Sequence, residues 1–293
     1  MKHNPKIVAD FFSNSLESFL ASRDAFRILC TLPHGDPVLV PRAPVRPVHQ
    51  LIVLDSSFNP PTKAHAQMAR SAILNANTEI ANTRLLLLLA VNNADKAPTP
   101  ASIPSRLNMM DGFGRGLLEQ FGPHGLEIDV AVTTMPYFHT KSRLISQSFA
   151  QQINTEQVFL TGFDTVIRVF NPKYYGDGYS TVSTSTGMTP MQVALGPLFN
   201  RARLRVTMRP DDGWGSAEDQ REYIGRLGRG ELDHLGVDRG WISRIELVDG
   251  ANGAGISSSK VREAVLNGNA AVVDYSVDPE VREWIGLEGL YRQ

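Results

Sequence analysis

Apolar and polar positions along this chain follow two periods, and the period changes several times. From residue 5 to 32 the large apolar side chains Phe12, Leu16, Phe19, Leu20, Phe26 and Leu29 recur at close to helical spacing, with Ser13 or Ser15 as a start, which predicts one or two docked helices. Prolines crowd residues 33–47 and predict an extended connector. Beyond it, apolar runs of strand length at 48–54, 85–91, 157–161, 202–208 and 243–248, and an alternation of Leu126, Ile128, Val130 and Val132 in 126–133, predict six strands. Helical patterns fall between them at 62–75, 103–121, 141–153 and 165–170, and another opens at Ser216, with Asp219 placed for a capping box. A further helical pattern at 256–267 and a closing one at 277–291, with Pro279 near its start and Trp284 as an apolar anchor, complete the chain. Strands alternating with helices predict an α/β domain with a parallel sheet over 48–293, preceded by an N-terminal helical extension and connector over 1–47. No internal repeat is present. Residues 174–190 are dominated by Gly, Ser and Thr, a composition that cannot offset its own ordering entropy, and predict a mobile loop.

Composition narrows this picture. With 42% hydrophobic residues among 293, the chain can bury a substantial core. Lys plus Arg number 29 against 30 for Asp plus Glu, a formal charge of −1, which gives no sign of a nucleic-acid or membrane surface. The single Cys30 rules out an internal disulfide and a cysteine-based zinc site, and fits a reducing intracellular compartment, cytoplasmic and/or nuclear. No run approaches the roughly 18 apolar residues of a membrane span. The N-terminal pattern is no signal peptide, being interrupted by Glu17, Arg23, Asp24 and Arg27.

Candidate chemistry concentrates in two stretches. The first, residues 55–69, follows the apolar run Leu51-Ile52-Val53-Leu54 and leads into a helix, so it sits at a strand-to-helix turn, where parallel sheets bind ligands. Pro60 and Pro61 stiffen the turn and Thr62 can cap the helix, whose free N–H groups and positive dipole end then face an anion. His65 falls in the first helical turn, where an imidazole can donate a hydrogen bond to a phosphate oxygen as charge builds. A proline-bent loop before an ordinary amphipathic helix, with Ala64, Met68, Ala72 and Ile73 inward, would read the same way. The second stretch, Gly255-Ile256-Ser257-Ser258-Ser259-Lys260-Val261-Arg262, sets three hydroxyls and two cations at the start of another helix, suited to a polyphosphate.

Together the two stretches resemble the nicotinamide-mononucleotide adenylyltransferases of the nucleotidyltransferase superfamily, the eukaryotic ones above all. Their first motif, G-S-F-N-P-x-T-x-x-H, is matched by Ser56-Ser57-Phe58-Asn59-Pro60-Pro61-Thr62-Lys63-Ala64-His65, and their closing I-S-S-T/S-x-x-R by Ile256, Ser257, Ser258, Ser259 and Arg262. A third element, G-x-D after an apolar strand, is matched by Gly162-Phe163-Asp164. The set is specific by its order, over about residues 48–266. Two departures stand out. The opening glycine of the family is Ser56, preceded by Asp55, an acidic residue that repels a phosphate unless it points away or holds a metal. The tryptophan that follows G-x-D in the family is missing, with Tyr174 and Tyr175 the nearest aromatic replacements.

The resemblance implies a Rossmann-like doubly wound parallel sheet with helices on both faces, and transfer of AMP from ATP to nicotinamide mononucleotide, forming NAD and pyrophosphate. It implies catalytic roles for His65 and Arg262 with Lys260, and ATP binding by Ser57, Phe58, Asn59, Thr62, His65, Gly162, Asp164, Ile256, Ser257, Ser258, Ser259 and Arg262. Asp164 would accept from ribose hydroxyls; a helix N-cap for 165–170 is its other reading, and the two can coexist. Lys96, in a loop after the second strand, and Arg209, ending another, are counterparts of cations that meet phosphates; Arg106 matches an R-x-x-M segment and is either a nucleotide contact or a helix charge. Tyr137 and Phe138 stand at the ligand edge, to stack on a pyridine ring or to pack on the next helix. Mg²⁺ is expected on the ATP phosphates, without a protein metal cage. No nucleic acid or membrane partner is expected, and a homo-oligomer is left open. The alternatives are adenylyl or cytidylyl transfer to another phosphate acceptor, or a nucleotide-binding module that has lost catalysis.

Overall fold

The computed structural model describes residues 4–35, 39–91, 100–149, 155–176, 187–210, 213–250 and 255–292. It opens with helix α1 (Pro5–Ala21), started by Pro5 and by the Asn4 side chain, which accepts from the Lys6 N–H at 3.0 Å; its apolar face, Val8, Phe12, Leu16 and Phe19, is buried. The helical expectation then fails: Phe26–Leu32 is a strand, β1. A bulge between Ile28 and Cys30 breaks the strand's period of two. Phe26 and Ile28 pack against one core, while Leu29, Cys30 and Leu32 belong to the other. Phe26 and Leu29, three apart as on one helix face, thus lie on opposite faces of a strand, and the bulge turns Cys30 and Leu32 to the side of Leu29.

The remaining strands are β2 (Gln50–Asp55), β3 (Thr83–Ala90), β4 (Glu127–Thr133), β5 (Glu156–Gly162), β6 (Ala202–Thr207) and β7 (Ile245–Val248). With β1 they form one sheet in the order β1-β4-β3-β2-β5-β6-β7, parallel throughout except for β1, which runs antiparallel to β4 at the edge. The six parallel strands thus have the doubly wound order, and the winding reverses between β2 and β5. Helices cover both faces, as buried, near-continuous apolar strands such as Leu85 to Leu89 require. α2 (Lys63–Leu74), α3 (Ile103–Phe121), α8 (Ser258–Leu266), α9 (Ala270–Ser276) and α10 (Pro279–Leu287) join α1 over one core. The other core is closed by α4 (Phe138–Ser148), α5 (Phe163–Val169), α6 (Pro190–Arg201) and α7 (Ala217–Arg229).

Helix α6 begins at Pro190, the last residue of the segment whose composition predicts a loop, and runs through residues to which the pattern assigns no element. Thr189 and Gln192 form a capping box around Pro190, and Met191, Leu195, Leu198 and Phe199 are buried; Pro190 sits in the first turn, where its missing N–H costs nothing. The heart of the expected mobile loop, 177–186, lies outside the described residues. Helix α5 begins at Phe163 with Gly162 as its N-cap, so Asp164 lies inside the first turn and does not cap the helix. Among the described residues no helix is long and apolar enough to cross a membrane.

Candidate active site

At the winding reversal, β2 ends in Asp55 and the chain turns into α2. The Ser56 N–H still donates to Leu88 O, at 3.3 Å, one step beyond the last β2–β3 pair. Phe58 then takes a left-handed backbone conformation, φ 45°, and its ring is fully buried against Phe113, with centroids 6.3 Å apart. A non-glycine residue in this region is held there by its surroundings. Phe58 therefore anchors the turn by its side chain and leaves only its backbone for a ligand.

Thr62 caps α2, and its backbone N–H donates to His65 Nδ1 at 3.1 Å, with the Thr62 hydroxyl on the same nitrogen at 2.8 Å. A backbone N–H can only donate, so Nδ1 is the acceptor and the ring hydrogen sits on Nε2. Burial, with Arg209 adding to it, lowers the His65 pKa to about 4, and the ring is neutral at physiological pH. Nε2–H points to Ser56 Oγ, 3.0 Å away, across the position where the family has glycine.

The closing motif docks directly on this turn. Ser258 Oγ donates to Pro60 O and Arg262 Nη1 to Asn59 O, both at 2.8 Å, while Arg262 Nη2 donates to Ser259 Oγ at 3.2 Å. Ser257 caps α8 by accepting from the Lys260 N–H at 3.3 Å, and Ile256 is buried. Both helix N-termini, of α2 and α8, are thereby fixed beside one another. Lys260 is exposed, its ammonium 3.9 Å from where a Cβ on Gly255 would stand; it makes none of the contacts to the first turn that Ser258 and Arg262 make.

Asp55 does not face the phosphate turn as a bare carboxylate. Lys141 Nζ, from α4, lies 2.5 Å from Asp55 Oδ2, and the two side chains are only 5% and 7% exposed. The repulsion expected beside an anion site is cancelled by this partner. Arg106 is buried rather than on the helix surface; its Nε donates to Ala101 O at 2.9 Å. Burial lowers its pKa, and among its neighbours Tyr291 raises it while Arg262 lowers it. Arg106 thus feels the charge of the guanidinium that is bonded to Asn59 O.

Across the reversal, Gly162 ends β5. A Cβ there would lie 2.7 Å from Asp164 Oδ1, so the missing side chain admits that carboxylate, and Arg209 Nε lies 3.6 Å from the same point, in ordinary contact with the strand end. Asp164 is half-buried, with Arg168 Nη2 at 3.5 Å one turn on. Of the aromatic pair, Phe138 is turned into the second core, edge-on to Phe159 at 5.3 Å. Tyr137 is the exposed one; it stacks on His139 at 5.7 Å and meets Tyr174 at 6.2 Å, while His139 meets Tyr175 at 5.8 Å. Burial, aided by Arg143, lowers the His139 pKa. The two tyrosines after G-x-D thus stand in one cluster with Tyr137. Lys96 lies outside the described residues. No cluster of three metal-ligating side chains occurs among the described residues.

Three participants had no sequence signal: Lys141, on Asp55; Gln220, on the Arg209 backbone; and Tyr291, whose hydroxyl donates to Asn59 Oδ1 at 2.8 Å from 232 residues away. A capping or motif search over neighbouring positions cannot find such pairs.

No family model matches the chain. Two solved structures of the Plasmodium falciparum nicotinic acid mononucleotide adenylyltransferase, complexed with NaAD and with APC, are similar at 15% and 13% identity, TM-scores 0.49 and 0.47, each over 83% of this chain and 97% of theirs. A Schizosaccharomyces pombe protein named "Putative nicotinamide mononucleotide adenylyltransferase" is 30% identical over 283 residues, 96% of this chain and 97% of its own length. With that likeness running through nearly the whole of both chains, and with both helix-capping motifs joined at one turn, the chain belongs to the nicotinamide mononucleotide adenylyltransferase family, the nucleotidyltransferases of NAD biosynthesis.

Proposed function

We propose that this chain transfers the AMP moiety of ATP to nicotinamide mononucleotide, forming NAD and pyrophosphate. The observation that carries the reading is the junction of Asn59 and Pro60 with Ser258 and Arg262, which points two helix N-termini, a neutral imidazole N–H and a guanidinium at one place. An oxygen of the mononucleotide 5′-phosphate attacks the α-phosphorus of ATP, the bond from that phosphorus to the bridging oxygen breaks, and pyrophosphate leaves. The acceptor is already a nucleophile, so the protein's work is to hold two anions in line and stabilise the charge that develops.

In this reading His65 Nε2–H exchanges the Ser56 hydroxyl for an ATP phosphate oxygen, and the Thr62 N–H on Nδ1 holds the neutral ring in the tautomer that carries its hydrogen on Nε2. Ser258, Ser259 and Arg262 meet the β- and γ-phosphates, with Arg209 on the other side of the reversal. Asp164 accepts from ribose hydroxyls, and Tyr137, stacked on His139 with Tyr174 and Tyr175 tilted beside them, offers an aromatic face to the pyridine ring. The choice of the nicotinamide over the nicotinate form is supported by the name of the fission-yeast relative. For Mg²⁺, the carboxylate on the phosphate turn, Asp55, is committed to Lys141. This donor set fits an ion carried in on the nucleotide phosphates, where it neutralises their charge.

The test is purified protein with ATP, Mg²⁺ and either mononucleotide, scoring pyrophosphate and dinucleotide. Faster turnover with nicotinamide mononucleotide is expected. Faster turnover with the nicotinate form would reject the nicotinamide assignment, and no pyrophosphate with either would leave a binding module. Arg262→Ala sharpens the result: it should lower both kcat and ATP affinity, by about 10-fold or more for a lost charge-assisted bond, while AMP binding, with no β- or γ-phosphate, hardly changes.

A further inference from the structure

Resting on the reading that Arg209 faces the nucleotide, a residue one helix further out acquires a role. Gln220, in the first turn of α7, is fully buried, unusual for an amide side chain. Its Oε1 accepts the Arg209 N–H at 3.1 Å and its Nε2 donates to Arg209 O at 2.9 Å, with a longer contact to Gly215 O at 3.4 Å. Both backbone groups of one residue are thus held by one side chain. The sheet cannot hold them: the β6–β7 ladder ends at the Thr207–Val248 pair, and the Met208 N–H, on Val248 O at 2.9 Å, is the last tie. Arg209 is the first residue past the sheet, and Gln220 replaces the missing ladder. The helix that carries Gln220 is itself pinned by the capping box of Ser216 and Asp219.

What this holds in place is a cation. The Arg209 side chain lies beside Gly162 at the end of β5, with Nε and Cζ 3.6 and 3.9 Å from where a Cβ would be, which is contact distance. A backbone shift at Arg209 of even 1 Å would move that charge off the strand end, and displacements of this size are costly in an in-line transfer. We propose that Gln220 is a positioning residue of the site, fixing the Arg209 backbone so that its guanidinium lies beside Gly162, within electrostatic reach of His65 and of the bound nucleotide.

The charge of Arg209 is felt at His65, where it adds to burial in lowering the imidazole pKa. The other groups against that ring, the Ser56 and Thr62 hydroxyls and the Phe58 ring, are uncharged. The titration of His65 therefore reports on the placement of Arg209 without any ligand. In the full-length protein, imidazole titrations followed by NMR are compared for wild type, Arg209→Ala, Gln220→Met and Asp219→Ala. Arg209→Ala should raise the His65 midpoint, and Gln220→Met should raise it in the same direction. Asp219→Ala, which removes the carboxylate half of the α7 capping box and leaves both the Ser216 cap and the amide clamp, should leave it in place. Gln220→Asn, which keeps the amide but withdraws it by one methylene, repeats the test if the methionine variant does not fold. In steady state, Gln220→Met should lose about 10-fold or more in kcat/KM for ATP. An unmoved midpoint in Arg209→Ala or in both Gln220 variants overturns the proposal, as does an equal shift in Asp219→Ala, which would reduce Gln220 to helix support. Failure of the reaction assay in the wild type would leave these ligand-free titrations intact, so the two readings fall separately.

Discussion

Arg84 and Arg106 are both buried guanidiniums, 2% and 7% exposed, at opposite ends of the same sheet, and they keep different company. At the start of β3, Arg84 donates to Asp129 at 2.6 and 2.8 Å, to Glu127 at 2.6 Å, and to Arg42 O at 2.7 Å; Thr31 donates to Asp129 at 2.7 Å. Burial works against the Arg84 charge, but the bonds to Asp129 and the charges of Asp129 and Glu127 outweigh it, and the pKa rises. Arg106, at the end where strands give way to α2, α3 and α8, has no carboxylate partner among the described residues, and burial, with Arg262 adding to it, lowers its pKa. One end satisfies its charges internally and ties the proline-rich connector to the sheet. The other leaves positive charge and helix N-termini pointing at one place, an arrangement that costs stability unless an anion arrives. Charge saturation reads as architecture, and unsaturated charge of one sign as a binding site.

Experiments can break this contrast. The largest effect should come from the saturated end: Asp129→Ala leaves Arg84 buried without its carboxylate and should cost about 3–5 kcal/mol, seen as a lower urea midpoint. The turnover of the folded fraction should not change, and the double change Asp129→Leu with Arg84→Met should recover much of the loss. An activity loss beyond the unfolded fraction would show that the two ends are not separable. At the unsaturated end the order reverses. His65→Ala should reduce turnover by about 10²-fold or more while the urea midpoint moves little; near-normal turnover in the folded variant would remove the imidazole from the mechanism.

Smaller effects sharpen the comparison. Tyr291→Phe deletes one hydroxyl and with it the bond to Asn59 Oδ1, at about 1 kcal/mol of stability, together with a several-fold loss in kcat, because the same asparagine carries the Arg262 bond. A stability loss with unchanged kinetics would make Tyr291 a latch only. The smallest signal is in the pH dependence. His65 titrates near 4 when folded, against about 6.5 when unfolded. Above about 6.5 both states are neutral and the contribution is complete; as pH falls toward 4 the unfolded chain takes up a proton that the folded one refuses, so stability declines through that window. The decline should be absent in His65→Gln, and the wild-type rate profile should show no break near 6.5. Such a break would mean that the imidazole is not held neutral.

Much of the site was legible along the chain because its parts are local. The cap at Thr62 with His65 one turn on, the Ser257 cap of α8, and the Ser216–Asp219 box depend on residues three apart, and short-range hydrogen bonding fixes them wherever the helix goes. Strand and helix order followed from apolar periodicity in the same way, and failed at β1, where apolar residues three apart on opposite faces of a strand imitate helical spacing, and at α6 and α9, to which the pattern assigns no element.

By itself, then, the sequence determined most of the strands and helices, β1, α6 and α9 aside, and which hydroxyls, cations and imidazole would stand at helix starts, since these depend on neighbours within a turn or two. The tertiary structure alone decided that Lys141 neutralises Asp55, that Phe138 faces inward and Tyr137 outward, that Tyr291 holds Asn59 and that Gln220 holds Arg209. Each of those pairings joins elements whose meeting is set by the winding of the sheet. A buried polar group takes the partner that packing brings to it, and nothing in its own stretch of chain says which partner that will be.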